Sequence, residues 1–262
     1  MKIALVIPAR YGSTRFSGKP LATIAGKSLL ARTWAIGTAA VGIDRVVIAT
    51  DDDRVAEHAR SFGAEVVLTD ESCQTGSDRT AAALGLLGES WDAAINLQGD
   101  AVLTPPWVLE ALAHALRAEP APEMVTAAVR LDQPRYQEFL RFKREHPTSG
   151  TTVVLDARDN ALYFSKAIIP ALRNSTADPL PPVFRHIGVY GYTADTLRRF
   201  AELAPSPLEK AEGLEQLRAL ENGIPIRVVA VDYRGRTHWS VDGPSDIAQA
   251  EAIIGREGEL VR

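Results

Sequence analysis

Apolar residues in this chain come in short continuous runs separated by longer amphipathic stretches. Residues 3–7 (IALVI), 45–50 (RVVIAT) and 93–97 (AAINL) are too short for helices and suit strands buried on both faces. Between the first two, residues 28–41 place Leu29, Leu30, Trp34, Ile36 and Ala40 as the apolar positions of a helix. Asp51, Asp52 and Asp53 open the next helix, supplying an N-cap and first-turn acids. A short strand at 65–68 and a helix at 77–87 follow. Strands alternating with helices of this length predict βαβ units and a mostly parallel sheet. Ligands of such sheets sit at the carboxyl ends of the strands, which puts residues 8–20, Thr50, Asp51 and Asp100 on one rim.

The second half is less regular. Residues 125–130 read as a strand and 136–145 as a helix with a basic face. Segments 151–156, 161–164 and 188–192 suit strands of a mixed or antiparallel section. Residues 171–182 are proline-rich and polar and predict a mobile loop. Helices are expected at 195–202 and 207–221, a late strand at 226–231, and a closing helix at 244–255 with Asp242 in the loop before it. No repeat or low-complexity linker interrupts the chain. Its 262 residues suit one domain with embellishment, or one and a half.

A hydrophobic content of 46% with 24% charged residues is ordinary for a globular protein. The formal net charge of −4 argues against a general nucleic-acid binder, so any cationic loop is a local device. Cys73 stands alone, which excludes an internal disulfide and a cysteine-built zinc site. No apolar run approaches the about 18 residues a membrane span needs, and the chain enters its first strand without a charged-then-apolar leader. The expectation is a cytoplasmic protein with no membrane partner.

The densest candidate chemistry is residues 7–20, IPARYGSTRFSGKP. Arg10, Arg15 and Lys19 stand on a loop with glycines at 12 and 18, at the tip of the first strand. Guanidinium forks match phosphate oxygens, and glycine lets backbone N–H groups approach them, so the loop suits a polyphosphate. It is not a P-loop, because Pro20 replaces the hydroxyl residue after the lysine, and no G-x-G-x-x-G is present. Asp100, after the turn Leu97-Gln98-Gly99, is placed to hold Mg²⁺, or else caps a turn; Asp242 poses the same choice. Two such carboxylates beside a polyphosphate would form a metal clamp for phosphoryl or nucleotidyl transfer. Residues 74–79 (QTGSDR) precede a helix and serve either as its cap or as a base-reading loop. His186 and Tyr190 fall on one face of a strand, where packing is the commoner use of a histidine. Glu215 and Gln216 lie on an amphipathic helix and would by themselves read as a solvated face.

Together these segments resemble the CMP-Kdo synthetases, the 3-deoxy-manno-octulosonate cytidylyltransferases. The first loop follows I-P-A-R-x-x-S-T-R-L-P-G-K-P-L except at Phe16 and Ser17. VVIATDD, QTGSDR, NLQGD, VVLDARDNALYFSKAIIP, FRHIGVYGY, PLEKAEGLEQLRAL and SVDGPSD match further blocks in the family's order, over nearly the whole chain. The resemblance implies a single three-layer α/β/α nucleotidyltransferase domain over 1–262, Rossmann-like, with a mostly parallel sheet and a smaller mixed-sheet lobe at about 125–220 that contributes acceptor binding and dimerisation. It implies transfer of CMP from CTP to Kdo or a similar small acidic acceptor, with Mg²⁺, release of pyrophosphate, and a homodimer. Carried over by position, Arg10, Arg15 and Lys19 grip the triphosphate and are catalytic with the metal-binding Asp100 and Asp242. Pro8, Ala9, Arg10, Gln74, Thr75, Gly76, Arg79 and Gln98 take the nucleotide. Gln98, Lys166, Arg173, His186, Tyr190, Glu215 and Gln216 take the acceptor.

Departures from the family pattern, all but the first, lie in or near the acceptor half. Ala101 stands where an acid is usual, and residues 146–153 lack a lysine of the family's segment. An insertion at 133–145 adds Arg135, Arg141, Lys143 and Arg144, and Lys166 replaces an arginine. These departures keep two alternatives open: an acid other than Kdo as acceptor, and a non-catalytic nucleotide-binding regulator.

Overall fold

A computed structural model describes residues 1–12, 16–88, 90–173 and 179–261. Arg15 and part of the expected 171–182 loop lie outside the described residues. The first half runs β1 (Ile3–Pro8), a 3₁₀ turn at Lys19–Leu21, β2 (Thr23–Ile24), β3 (Lys27–Ser28), α1 (Leu29–Ala39), β4 (Arg45–Thr50), α2 (Asp53–Ser61), β5 (Val66–Leu68), α3 (Gly76–Leu86) and β6 (Ala93–Leu97). Next come α4 (Pro106–Leu116), β7 (Met124–Arg130), α5 (Gln133–Glu145), β8 (Thr152–Leu155), β9 (Ala161–Ser165) and β10 (Phe184–Thr193). The chain closes with α6 (Ala194–Ala201), α7 (Pro207–Glu212), α8 (Gln216–Glu221), β11 (Ile226–Ala230) and α9 (Ser245–Glu257).

The main path through the sheet is β11-β7-β10-β6-β1-β4-β5. Parallel pairs join β1 to β4 and β6, β4 to β5, and β7 to β11, while β10 runs antiparallel between β6 and β7. Beyond β10 the antiparallel β8–β9 hairpin forms the small extension. Alternation along the buried strands builds two apolar layers. Leu5, Ile7, Ile95, Leu97 and Ile187 face α1, α2 and α4; Ala4, Val6, Ala94 and Tyr192 face α3, α6 and α8. The result is the expected three-layer α/β/α arrangement. Of residues 125–220, β7 and β10 lie inside the main sheet.

Several elements correct the reading from sequence. Helix α4 was not foreseen, although Pro106 sits at its first turn and Val108, Leu109, Leu112 and Leu116 form its buried stripe. The β2–β3 hairpin is too short to carry a pattern. Residues 207–221 form two helices, because Gly213 takes a left-handed conformation (φ 63°) that ends α7. Strand β10 begins at Phe184 and tolerates a register shift between Ile187 and Tyr190 against β7. Two extra residues enter there, an even number, so His186 and Tyr190 keep the same face with ring centroids 5.5 Å apart.

Gly191 in β10 is where backbone and core come closest. A Cβ there would lie 2.7 Å from Val125 Cγ2 and 2.9 Å from Leu116 Cδ1. Gly191→Ala is therefore expected to lower unfolding free energy by about 1–3 kcal/mol through overpacking. Urea denaturation should show a lower midpoint with an unchanged slope.

Candidate active site

Strand β1 ends in Pro8, and the chain leaves it with Ala9 N–H donating to the Ala49 carbonyl at 2.8 Å. Gly18 has φ 71°, and its N–H returns to the Tyr11 carbonyl at 2.9 Å, closing the loop ahead of Lys19. This turn brings the Lys19 ammonium to 2.7 Å from the Asp100 carboxylate. Asp100 follows β6 through a turn closed by Ala101 N–H to the Gln98 carbonyl at 3.0 Å. Gly99 passes so close to β1 that a Cβ would meet the Pro8 carbonyl at 3.0 Å.

A cavity of about 220 Å³ opens here at the carboxyl ends of β1 and β6. Pro8, Ala9, Arg10 and Lys19 line one side, Gln74, Thr75, Gly76 and Arg79 another, and Gln98 and Asp100 the floor. All ten were singled out from sequence. The loop before α3 is fixed by a capping box, with Thr75 Oγ1 accepting from Asp78 N–H at 3.1 Å and Thr75 N–H donating to the Asp78 carboxylate at 3.0 Å. Gly76 allows this loop to lie against β6, since a Cβ would stand 2.9 Å from Gln98 Nε2. Capping and lining, which the sequence left as alternatives, are thus properties of one loop. Arg79 differs from a free cation: it is buried, and its guanidinium donates to Asp51 and to Thr69 Oγ1, both at 2.6 Å. It braces the wall between β4 and α3.

Asp242 arrives beside Asp100 although the two are far apart in sequence. Val241 N–H donates to the Asp100 carbonyl at 3.3 Å, which lays the turn carrying Asp242 alongside the turn after β6. Asp242 and Gly243 N–H both donate to Asp246 at 2.8 Å, fixing that turn at the start of α9. Asp100 and Lys19 line the cavity, whereas Asp242 stands exposed on the adjoining turn and is not part of its lining. Among the described residues no three or more His, Cys, Asp or Glu form a metal cluster.

The second group of foreseen residues surrounds β10 on the face toward α8. Tyr190 pairs across β6 with Asn96 and donates its hydroxyl to Gln216 Oε1 at 3.0 Å. Glu215 accepts from Ser77 Oγ at 3.1 Å, which ties this group to the loop at Gly76. Burial pushes the Glu215 carboxyl up, against hydrogen bonds from Thr75 and Ser77. His186 Nε2 lies 2.8 Å from Thr126 Oγ1, and that hydroxyl donates to the Val189 carbonyl at 2.8 Å. Its single proton is used there, so Thr126 accepts from His186, and the ring is assigned the Nε2–H tautomer with Nδ1 as an acceptor. Burial, followed by the Lys166 charge, lowers the His186 pKa to about 3, so the ring is neutral at physiological pH. Thr126 was not singled out from sequence; nothing in its own strand marks it.

Lys166 and Arg173 do not line the cavity at Asp100. Arg173 is exposed at the end of its described segment. Lys166 N–H donates to Glu212 at 2.8 Å, and its carbonyl accepts from Lys143, which also donates to the Gly150 carbonyl at 2.7 Å. Lys143 comes from the basic insertion, and its ammonium pins the 146–151 turn against the β9 end. Burial, then the charges of Lys166 and Arg185, push its pKa down to about 8 from an ordinary 10.5. Folding therefore favours the neutral amine, and the destabilisation this causes is fully present below about pH 8 and relieved as pH rises toward 10.5. Over that window, the stability of the native chain relative to Lys143→Met should rise; denaturant melts across the range would show it, and a flat difference would contradict it.

A family model described as cytidylyltransferase matches residues 4–227. The 3-deoxy-manno-octulosonate cytidylyltransferase of Maricaulis maris is 50% identical over 261 residues, covering 100% of both chains. That of Syntrophotalea carbinolica is 43% identical, covering 97% of this chain and 99% of its own. The solved structure of CMP:2-keto-3-deoxy-manno-octonic acid synthetase complexed with CTP superposes with a TM-score of 0.85 at 33% identity, over 98% of this chain and 100% of that one. Sequence and fold thus agree along the full length, and the chain belongs to the CMP-Kdo synthetase family of cytidylyltransferases.

Proposed function

We propose that this enzyme transfers CMP from CTP to Kdo and releases pyrophosphate. The observation that supports the acceptor is a set of buried polar atoms without hydrogen-bond partners: Asn96 Nδ2, Gln216 Nε2, and Glu215 Oε1, whose nearest cation among the described residues is Arg218 at 3.9 Å. They lie around Tyr190, beside Gln98, and offer both donors and an acceptor. Burying such atoms unpaired is costly, so a polyhydroxylated ligand that completes them is favoured. His186 Nδ1 adds an acceptor for a sugar hydroxyl, and Lys166 and Arg173 are the cations proposed for its carboxylate.

CTP is proposed for the neighbouring cavity, with Gln74, Thr75, Gly76 and Gln98 around the nucleoside and Arg10 and Lys19 toward the phosphates; Arg15, outside the described residues, is assigned to the triphosphate by the family resemblance alone. Lys19, which holds Asp100 here, is placed to turn to phosphate oxygens once that carboxylate has another counterion. Arg79 keeps the loop in place through Asp51. The donor set suits Mg²⁺, which takes one or two carboxylates and completes its shell with phosphate and water oxygens. Asp100 and Asp242 would hold it, and when bound it supplies neutralisation of the polyphosphate charge. The acceptor's anomeric oxygen then attacks the α-phosphorus in line, while the loop cations stabilise the leaving pyrophosphate.

The test is incubation of the chain with CTP, Mg²⁺ and a panel of sugar acids, followed by mass spectrometry of nucleotide products. CMP-Kdo is the expected product; turnover of another acid without Kdo overturns the acceptor, and silence over the panel overturns the enzyme reading. Among the described residues no helix is long and apolar enough to cross a membrane. A cytoplasmic homodimer is proposed from the family resemblance, and sedimentation of the purified chain checks the dimer.

A further inference from the structure

A second cavity, about 310 Å³, lies behind β10, on the face opposite His186 and Tyr190. Ile187 and Val129 form its floor, Phe139 and Phe142 of α5 one wall, and the segment 233–239 the other. The α5 wall is the stretch the sequence marked as an insertion, so its shape is particular to chains that carry that helix.

Arg185 is the group that needs explaining. Its guanidinium lies 5.1 Å from the Phe139 ring centroid and 5.8 Å from that of Phe142. Its Nε is buried with no hydrogen-bond partner, and it forms no ion pair among the described residues. Nδ1 of His238 and Nε1 of Trp239, both in the same lining, are buried without partners as well. Arg135 and Arg236 add positive charge at the margin, against Glu138 as the acid of the lining. A half-buried cation whose Nε is shut off from water without a partner is unfavourable, and the π contacts and the charge of Glu138 offset only part of that cost. A ligand anion would complete the pair, and the aromatic walls would cover its carbon body.

We propose that this cavity is a second ligand site, distinct from the CTP and acceptor sites, which binds a small organic anion of sugar size. The anion is a carboxylate or a phosphate ester, Arg185 is its charge partner, and the Trp239 indole N–H is its second donor. Its wall continues through Ser240 into Val241, whose N–H holds the Asp100 carbonyl, and on to Asp242. Occupancy therefore bears on the turn that carries one of the two rim carboxylates.

Calorimetric titration of the full chain with D-gluconate, glucose 6-phosphate and glucose separates the possible sources. One or both anions should bind with Kd of about 1 mM or tighter, and neutral glucose should not. Gluconate alone identifies a carboxylate ligand, and glucose 6-phosphate alone a phosphate. Arg185→Met should weaken binding about tenfold or more, with Trp239→Phe a smaller loss in the same direction. Lys19→Ala and Gln216→Ala, which alter the other two sites, should leave it in place. Arg185→Met removes a half-buried charge that forms no ion pair among the described residues, so without ligand it should unfold no earlier than the native chain, which keeps the comparison between folded proteins. Equal affinity for glucose, unchanged anion binding in both cavity variants, loss of binding in Lys19→Ala or Gln216→Ala, or no binding at all would each overturn the proposal. CMP transfer is measured separately, so its failure is distinguishable from this one.

Discussion

Asp100→Asn is expected to lower kcat by about 10²–10⁴-fold while leaving the fold intact, and Asp242→Asn to act in the same direction. The substitution keeps the side chain's shape and removes its charge. The several kcal/mol of charge stabilisation that a metal at these carboxylates would supply translates into a loss of that order. The folded state loses little. Asp100 meets Lys19 at 2.7 Å in a part-buried pair, and the asparagine amide oxygen can still accept from the ammonium, so the loss is about 1–2 kcal/mol. Asp242 is exposed, and its turn is held through the Asp246 side chain and backbone N–H groups, which the substitution spares. Pyrophosphate release under saturating CTP, with thermal melts alongside, separates the two effects. Near-native turnover in either variant removes that residue from the reacting centre.

Much of this rim could be read from the chain, for reasons tied to particular residues. The runs at 3–7, 45–50 and 93–97 are apolar at every or nearly every position, which only strands covered on both faces require. Once they are strands, parallel order places Arg10, Asp51 and Asp100 at one edge. What could not be read is which side chains spend themselves on each other there. Arg79 looks like a free cation in QTGSDR, yet it serves Asp51, and that pairing depends on the crossover between β4 and α3. The His186 tautomer is set by Thr126 from another strand, and the Glu215 environment by Ser77, 138 positions away. Such long-range pairs leave no local period. Helix α4 is a different case, since its stripe and its proline are local signals, legible in principle, between two clearer strands. Gly213 shows a third kind: a repeat of apolar positions through 207–221 suggests one helix, and only the glycine's left-handed conformation divides it.

Arg218→Met should destabilise the protein by about 3–5 kcal/mol, more than the overpacking at Gly191. Arg218 is 3% exposed and forks onto Glu209, with Nη2 2.6 Å from Oε1 and Nε 2.8 Å from Oε2. Its guanidinium also lies 5.1 Å from the Phe200 ring centroid and 3.9 Å from Glu215 Oε1. Methionine fills the volume of the stem but leaves Glu209 partly buried without its counterion and takes a cation away from Glu215. The pH dependence should then change sign. In the native chain burial raises the Glu209 pKa, yet Arg218 and the Ser206 N–H together hold it below the ordinary 4.5, so stability is present above that value and is lost as pH falls through the folded pKa. Without Arg218 both glutamates are raised by burial, and protonating them relieves the folded state, so the variant should gain stability as pH falls toward the ordinary carboxylate range. Urea denaturation of both proteins at neutral pH and just above that range measures the two slopes. A loss under about 1 kcal/mol at neutral pH, or parallel pH profiles, would mean that Arg218 acts as a packed surface arginine and not as the cation that sustains Glu209 and Glu215.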